Sequence, residues 1–195
     1  MCSSDLTYTL AYDEARRQRI GGDPLGGRQA RRVASPTPAS TPSPTPLPSE
    51  QSAPNPAAES ALGPTWRSDV VTEVNRVRSQ AGVPSLRLCP ALSRAAQAWA
   101  NHAAETGVFA HTDATSTIWD RISAAGYAST MRLHGENMEQ GAATVDEAMA
   151  AWVNSPQHYE NLVTPQFTHV GIGAARGADG RLVWVQDFSF GGRCE

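Results

Sequence analysis

The composition of this chain changes abruptly near residue 61, and this change limits where a folded core can form. All five tryptophans and all four phenylalanines lie beyond that point. Residues 34–60 consist largely of Pro, Ser, Thr and Ala, a composition that disfavours helix and sheet and gives an extended, solvated backbone. We therefore expect a proline-rich linker over residues 34–60 and a single globular domain over residues 61–195.

The first 33 residues form a third, polar segment that carries six of the sixteen arginines. It lacks the apolar core of a signal peptide, and the sequence contains no apolar run long enough to cross a membrane. We expect residues 1–33 to be disordered or to reflect a misassigned start, with any export signal not visible in this numbering.

Charge and cysteine content narrow the function classes. The net charge is -3, and residues 61–195 contain ten Arg against thirteen Asp and Glu, which argues against a nucleic-acid partner. Of the three cysteines, Cys89 and Cys194 could form a bridge, which would require an oxidising compartment. The alternative is a pair of buried, reduced thiols, and the spacing does not match a zinc site.

Periodicity predicts helices followed by strands. Helical spacing of apolar residues covers residues 67–80, the segment from Pro90 to Gly107, residues 116–125 and a segment that begins at the capping pair Thr144 and Glu147. A further helical turn opens at residues 155–156, and two strand-like runs near the end are joined by residues 177–180. This order predicts an α+β fold in which helices cover an antiparallel sheet.

Three polar segments interrupt the apolar pattern: FAHTD at 109–113, HGENM at 134–138 and SPQHYEN at 155–161. Imidazoles and carboxylates of this kind form divalent-metal sites or acid/base pairs. The competing interpretation makes His111 and His158 hydrogen-bonded structural histidines and Glu136 an acceptor that fixes a loop. No local metal signature such as HExxH decides between them.

Several motifs occur together in a fixed order: VNRVR at 74–78, LSRAAQAWA at 92–100, FAHT at 109–112, GENM at 135–138, AWVNSPQH at 151–158, VGIG at 170–173 and VQDF at 185–188. This set closely resembles the CAP superfamily, also called SCP-like, over about residues 66–190. The resemblance implies a three-layer α-β-α sandwich with a central antiparallel sheet, in a secreted or cell-envelope protein of bacterial type.

The resemblance also implies a cleft in which two histidines and two acidic residues surround a site for a divalent cation. His111, Glu136 and His158 match three of the four. The sequence departs from the family at the fourth, where Ser155 replaces the usual Glu. The resemblance further favours an oxidised pair of Cys89 and Cys194.

Two residues are candidates for the missing carboxylate, and two others complete the expected cleft. Asp120, or Asp113 in second place, could substitute by reaching the cleft from elsewhere. Asn137 and Ser155 are expected to support the cleft.

Three functions fit these residues. The first is an extracellular binding module whose cleft holds a divalent cation, zinc first, or a lipid, cell-wall or protein ligand. The second is a peptidase-like hydrolase in which His111 and His158 hold the ion, Glu136 is the base and Asp120 orients the water or a histidine. The third is a structural role in an envelope layer. We expect a monomer.

Overall fold

The computed structural model describes residues 53–129 and 133–194. In these ranges the helices are α1 (Pro56–Leu62), α2 (Trp66–Gln80), α3 (Pro90–Thr106), α4 (Ile118–Ala124), α5 (Val145–Val153) and α6 (Pro156–Val163). The strands are β1 (Arg87–Leu88), β2 (His134–Gln140), β3 (His169–Arg176) and β4 (Leu182–Ser189). The expected α+β architecture is confirmed.

The strands form one sheet in the order β1-β3-β4-β2. Strands β2, β4 and β3 pair antiparallel, as expected, but β1 pairs parallel to β3 through Arg87 and Leu88. The sheet is therefore mixed rather than purely antiparallel. A strand of two residues is too short to show an alternating pattern, so the sequence contained no signal for it.

Helix α3 covers one face of the sheet and lies very close to β3. A Cβ atom at Gly171 would come within 2.1 Å of the backbone carbon of Leu92, and one at Gly173 within 2.3 Å of that of Ala96. Glycine is therefore required at both positions for this separation. Trp99 of α3 joins the apolar cluster that packs on the same face with Val183 and Val185 of β4.

The opposite face of the sheet packs against α2, α5 and α6. Trp66 of α2 meets Trp184 of β4 edge to face, with ring centroids 5.6 Å apart, and Phe167 stacks on Phe188 at 5.5 Å. Residues of β4 alternate between the two faces, so the side chains of Trp184 and Phe188 lie on the face away from those of Val183 and Val185. Helices on both sides of the sheet give the α-β-α sandwich.

The end signals of the helices behave as the sequence indicated. Helix α3 ends at Gly107, whose φ of 74° is left-handed. The Thr144 side chain caps α5 by accepting from the Glu147 N–H. Helix α4 begins two residues later than expected, with Thr117 as its cap.

The expected linker ends earlier than residue 60. Residues 56–62 form α1, capped by the Asn55 side chain, which accepts from the Ala58 N–H at 3.0 Å. Arg67 joins this helix to α3 by donating to Glu59 at 2.6 Å and to Gln97 at 2.8 Å. The expectation of an extended chain is therefore wrong for residues 56–60, because a proline in the first turn of a helix is well tolerated. Residues 1–33 and 34–52 lie outside the described residues.

A disulfide between Cys89 and Cys194 connects the start of α3 to the C-terminal segment. Their Cα atoms are 5.1 Å apart across a sequence separation of 105. This confirms the pairing. In the chain-entropy model a loop of this size adds on the order of 4 to 5 kcal/mol to stability.

Candidate functional site

The site lies along β2, at one edge of the sheet. Neighbouring residues of a strand point to opposite faces. Glu136 is directly paired with Asp187 on the α3 side, whereas Asn137 is directly paired with Gln186 on the side of α2, α5 and α6. On this edge strand, the Glu136 carboxylate therefore faces the α3 layer, and the Asn137 amide faces the layer of α2, α5 and α6.

The carboxylate of Glu136 is completely buried and bound on both oxygens. Its Oε1 lies 2.8 Å from His111 Nδ1, and its Oε2 accepts from Arg121 Nη2 at 2.5 Å. The side chains of Glu136 and Arg121 both have 0% exposure. Because the two opposite charges are buried together, each compensates the other.

Arg121 also anchors the segment that carries His111. Its guanidinium stacks 3.9 Å above the Trp99 ring, and its Nη2 donates to the carbonyl of His111 at 3.0 Å. Trp99 Nε1 donates to the carbonyl of the preceding Ala110 at 2.9 Å. Two adjacent carbonyls are thereby fixed, so both the backbone and the ring of His111 are held in place.

The contact with Glu136 sets the tautomer of His111. A carboxylate can only accept a hydrogen bond, so the hydrogen between the two groups is on Nδ1 of His111, and in the neutral ring Nε2 carries the lone pair. The His111 side chain is 18% exposed. A carboxylate that orients a histidine through Nδ1 also occurs in metal sites.

His158 is placed on the opposite side of the strand by α6. Asn137 Nδ2 donates to the carbonyl of His158 at 3.1 Å. Burial, and then the nearby His111, lower the pKa of His158 below its ordinary value. In the described part of the chain the buried Nδ1 of His158 has no hydrogen-bond partner. The ring is therefore a neutral imidazole within electrostatic reach of His111.

Amide groups rather than charges link α6 to β2. Asn161 Nδ2 donates to Asn137 Oδ1 at 2.9 Å and to the carbonyl of Glu136 at 3.2 Å. A Cβ at Gly135 would lie 2.7 Å from Asn161 Oδ1. The Gly-Glu-Asn motif thus combines three features. Gly135 allows α6 to approach closely, Glu136 supplies the buried carboxylate that contacts His111, and Asn137 forms the amide link.

A buried arginine holds the end of α6. Arg78 of α2 donates from Nη1 to the carbonyls of Leu162 and Thr164, at 2.7 and 3.0 Å, and from Nη2 to that of Phe167 at 3.3 Å. A cation at the C-terminal end of a helix is favourable. The helix that carries His158 is therefore fixed at both ends, by Asn137 near its start and by Arg78 at its end.

The two aspartates expected to supply the fourth cleft residue lie elsewhere. Asp120 closes a capping box, with its Oδ2 accepting from the Thr117 N–H at 3.0 Å and from Thr117 Oγ1 at 2.7 Å. Asp113 accepts from the Thr115 and Ser116 N–H groups at 2.7 and 2.9 Å. In the described residues, neither is a hydrogen-bond or ion-pair partner of Glu136, His111 or His158.

Ser155 stands at the N-cap position of α6, and its side chain makes no capping hydrogen bond. It does not replace the charge of a carboxylate. Within residues 53–129 and 133–194, no group of three or more His, Cys, Asp or Glu side chains is arranged to hold a metal ion.

Sequence reasoning missed two buried residues beside Glu136. Arg121 was not among the candidate site residues, although its burial follows from its place beside Ile122 and one turn after Ile118. Asp187 is fully buried in β4. The sequence signal that could have identified Asp187 was its position as the one carboxylate in the largely apolar run of β4.

The comparisons with known proteins agree with this architecture. The family model described as "Cysteine-rich secretory protein family", or CAP, matches residues 71–188, more than half of the 195-residue chain. The chain belongs to the CAP family. The resemblance noted in the sequence is thereby confirmed.

A curated relative and two solved structures resemble this CAP domain. The uncharacterized protein YkwD of Bacillus subtilis is 29% identical over 124 residues, which cover 63% of this chain and 46% of that protein. The match therefore spans less than half of that relative's length.

Both solved structures come from bacteria. An extracellular protein containing an SCP domain from Bacillus anthracis is 25% identical, with a TM-score of 0.56, over 64% of this chain and 40% of that one. An outer surface protein of Borrelia burgdorferi is 22% identical, also with a TM-score of 0.56, over 66% of this chain and 92% of that one. The second likeness shows a shared fold.

Proposed function

We propose that this CAP domain is an extracellular binding module, and that its cleft binds ligand through His111 and His158 together with a divalent cation. The observation that carries the proposal is the 2.8 Å contact between His111 Nδ1 and the buried Glu136. It leaves Nε2 of His111 as a lone-pair donor, and the neutral ring of His158 lies near it.

The proposed location rests on the disulfide and on the relatives. A bond between Cys89 and Cys194 persists in an oxidising compartment. The Bacillus anthracis structure is that of an extracellular protein. Among the described residues, no helix is long and apolar enough to cross a membrane.

Imidazole nitrogens suit zinc-like ions, and zinc is therefore the first cation to test. Two protein ligands are fewer than the three of a catalytic zinc site, so solvent or ligand atoms would complete the coordination. A bound cation would supply a positive centre for an electron-rich group of a lipid, cell-wall or protein ligand. Glu136 would keep His111 in the tautomer that donates Nε2, and Asn137 would hold the backbone of His158.

The geometry favours binding over hydrolysis. The peptidase-like alternative needs Glu136 to take a proton from water, but His111 and Arg121 occupy both of its oxygens and its side chain is fully buried. The orienting role suggested for Asp120 would require it to leave its contact with Thr117. The structural envelope role gains no support from a cleft organised around two histidines.

The test is calorimetric titration of zinc into the oxidised, metal-stripped full chain. All proteins carry Cys2→Ser, because a free thiol also binds zinc. The comparison variant is His111→Ala/His158→Ala, and the matched control is His102→Ala, whose ring stacks on Trp99 rather than joining the pair. We expect binding by the parent and the control and its loss in the folded double variant.

Three results would contradict the proposal. If the folded parent does not bind zinc, or if the double variant binds it equally well, the two histidines are not a cation site. If the protein cleaves peptides and Glu136→Gln stops cleavage without unfolding the domain, then the hydrolytic alternative is correct.

A further inference from the structure

Asp187 is a buried carboxyl group in the middle of the sheet. It lies on β4, with Glu136 directly opposite it on β2 and Gly171 directly opposite it on β3. Its side chain is on the α3 face and has no exposure to solvent. Directly opposed side chains of antiparallel strands have Cβ atoms about 5 Å apart, which places the two carboxyl groups side by side.

Neither oxygen of Asp187 receives a hydrogen bond from a donor in the described part of the chain. A buried, ionised carboxylate without a partner is very unfavourable. The adjacent Glu136 carboxylate can only accept hydrogen bonds. The two carboxyl groups can therefore interact favourably only if one of them keeps its proton.

Among the described residues, one arginine lies beside these two groups. Strand β3 contributes Gly171, which has no side chain, and α3 contributes Leu92 and the neutral Ser93, whose backbone lies against Gly171. Helix α4 contributes Arg121, which forms its ion pair with Glu136. The other titratable neighbours are His111, which also bonds Glu136, and His134, which lies two residues before Glu136 on the same face of β2.

We infer that Asp187 is held as a neutral carboxylic acid that donates its proton to Glu136, and that it thereby positions the carboxylate that orients His111. Burial raises the pKa of Asp187 well above its ordinary value, the charge of Glu136 raises it further, and Arg121 lowers it in part. Glu136 thus receives three donors, from Arg121, His111 and Asp187, and the cluster balances one positive charge with one negative charge.

Asp187 acts on the residue that orients His111. The inference rests on the proposed function only in taking His111 as a ligand-binding residue. Asp187 is a positioning residue, because it acts through Glu136. The experiments below need no cation, so failure of zinc binding and failure of this inference are separate results.

The first test is infrared spectroscopy of the protein labelled with 13C at the aspartate carboxyl groups. At neutral pH we expect the band of one protonated, buried aspartic acid, and we expect it to be absent in Asp187→Asn. The label identifies an aspartate without a variant, so the test remains decisive if Asp187→Asn does not fold. A spectrum in which every aspartate is ionised at neutral pH would overturn the inference.

The second test compares the pH dependence of stability. A folded-state pKa above the ordinary value of 3.8 means that Asp187 contributes most stability at low pH and loses it as pH rises. Asn does not titrate. Relative to Asp187→Asn, the unfolding equilibrium constant of the wild type should rise about tenfold per pH unit above pH 4 until the pKa of folded Asp187 is reached. A ratio that does not change with pH would overturn the inference.

The third test moves the charge. Glu136→Gln removes the partner of Arg121, so Asp187 should ionise to compensate the arginine, and its protonated infrared band should disappear. Glu136→Gln/Asp187→Asn leaves Arg121 without a counter-charge and should be destabilised by far more than the two single variants combined. Persistence of the band in folded Glu136→Gln, or additive effects, would contradict a shared proton.

Discussion

The two sides of β2 hold the two histidines of the cleft by different means. On the α3 side, His111 is fixed by a buried ion pair between Glu136 and Arg121. On the α6 side, His158 is fixed through neutral amides, with Asn137 bonded to its carbonyl and Asn161 bonded to Asn137. The position of His111 therefore depends on buried charges, whereas the position of His158 depends on hydrogen bonds between neutral groups.

The largest effect should come from breaking the charged side. Arg121→Leu leaves the Glu136 carboxylate buried without its counter-charge and should lower the free energy of unfolding by about 3 to 5 kcal/mol in urea denaturation. The control is Arg181→Ala, which removes an arginine from a pair with Asp179 that is largely exposed. That change should cost less than about 1 kcal/mol. Similar losses in the two variants would show that burial of the pair does not matter.

Breaking the amide side should cost less. Asn137→Ala removes the donor to Gln186 Oε1 and to the carbonyl of His158, so we expect a loss of about 1 to 3 kcal/mol. NMR spectra should show changes in the ring signals of His158 that exceed those of His111. If the His111 ring is disturbed equally, then the two sides of the strand are not independent.

The smallest expected effect is the electrostatic influence of His111 on the pKa of His158. Burial is the main cause of the lowered pKa of His158, and His111 is the second. His111→Gln should therefore raise the pKa of His158 in an NMR titration, while burial still keeps it below the ordinary value. His102→Gln is the control, and it should leave the pKa unchanged. An equal response to both substitutions would remove His111 as the cause.

The depressed pKa of His158 also fixes the sign of its contribution to stability. Folding favours the neutral ring, so this contribution is complete above the ordinary value of 6.5 and is lost as pH falls through that range. His158→Gln should therefore lose less stability than the wild type between pH 7 and pH 5. A wild type that becomes more stable over this interval relative to the variant would contradict a neutral, buried His158.

The fold was largely predictable because its signals are local. The boundaries of α2 and α3 follow from helical periodicity, Pro90 and Gly107, and the motifs from residue 74 to residue 188 indicated the CAP family. Helix α1 was missed because the prolines around it resemble those of the linker. Strand β1 was missed because its two residues are defined by pairing with β3 and not by their own pattern.

The site was predictable only in part. His111, Glu136 and His158 stand in recognisable motifs, and the structure brings His111 and Glu136 into direct contact. The roles of Arg121 and Asp187 depend on which residues oppose each other across β2 and β4. A shift of register by one residue would turn Asp187 to the other face, and sequence alone does not fix that register. The substitutes suggested for the fourth cleft residue, Asp120 and Asp113, were chosen without this information.

The most direct measurement of the account is the protonation of the His111 ring in the metal-free protein. Nitrogen-15 NMR of the imidazole at neutral pH distinguishes the two tautomers. Orientation of His111 by Glu136 requires a proton on Nδ1, held by Glu136 Oε1 at 2.8 Å, and binding of a ligand requires an unprotonated Nε2. A ring protonated on Nε2, with Nδ1 bare, would contradict the account, because His111 would then not be oriented by Glu136 and could not offer Nε2 to a ligand.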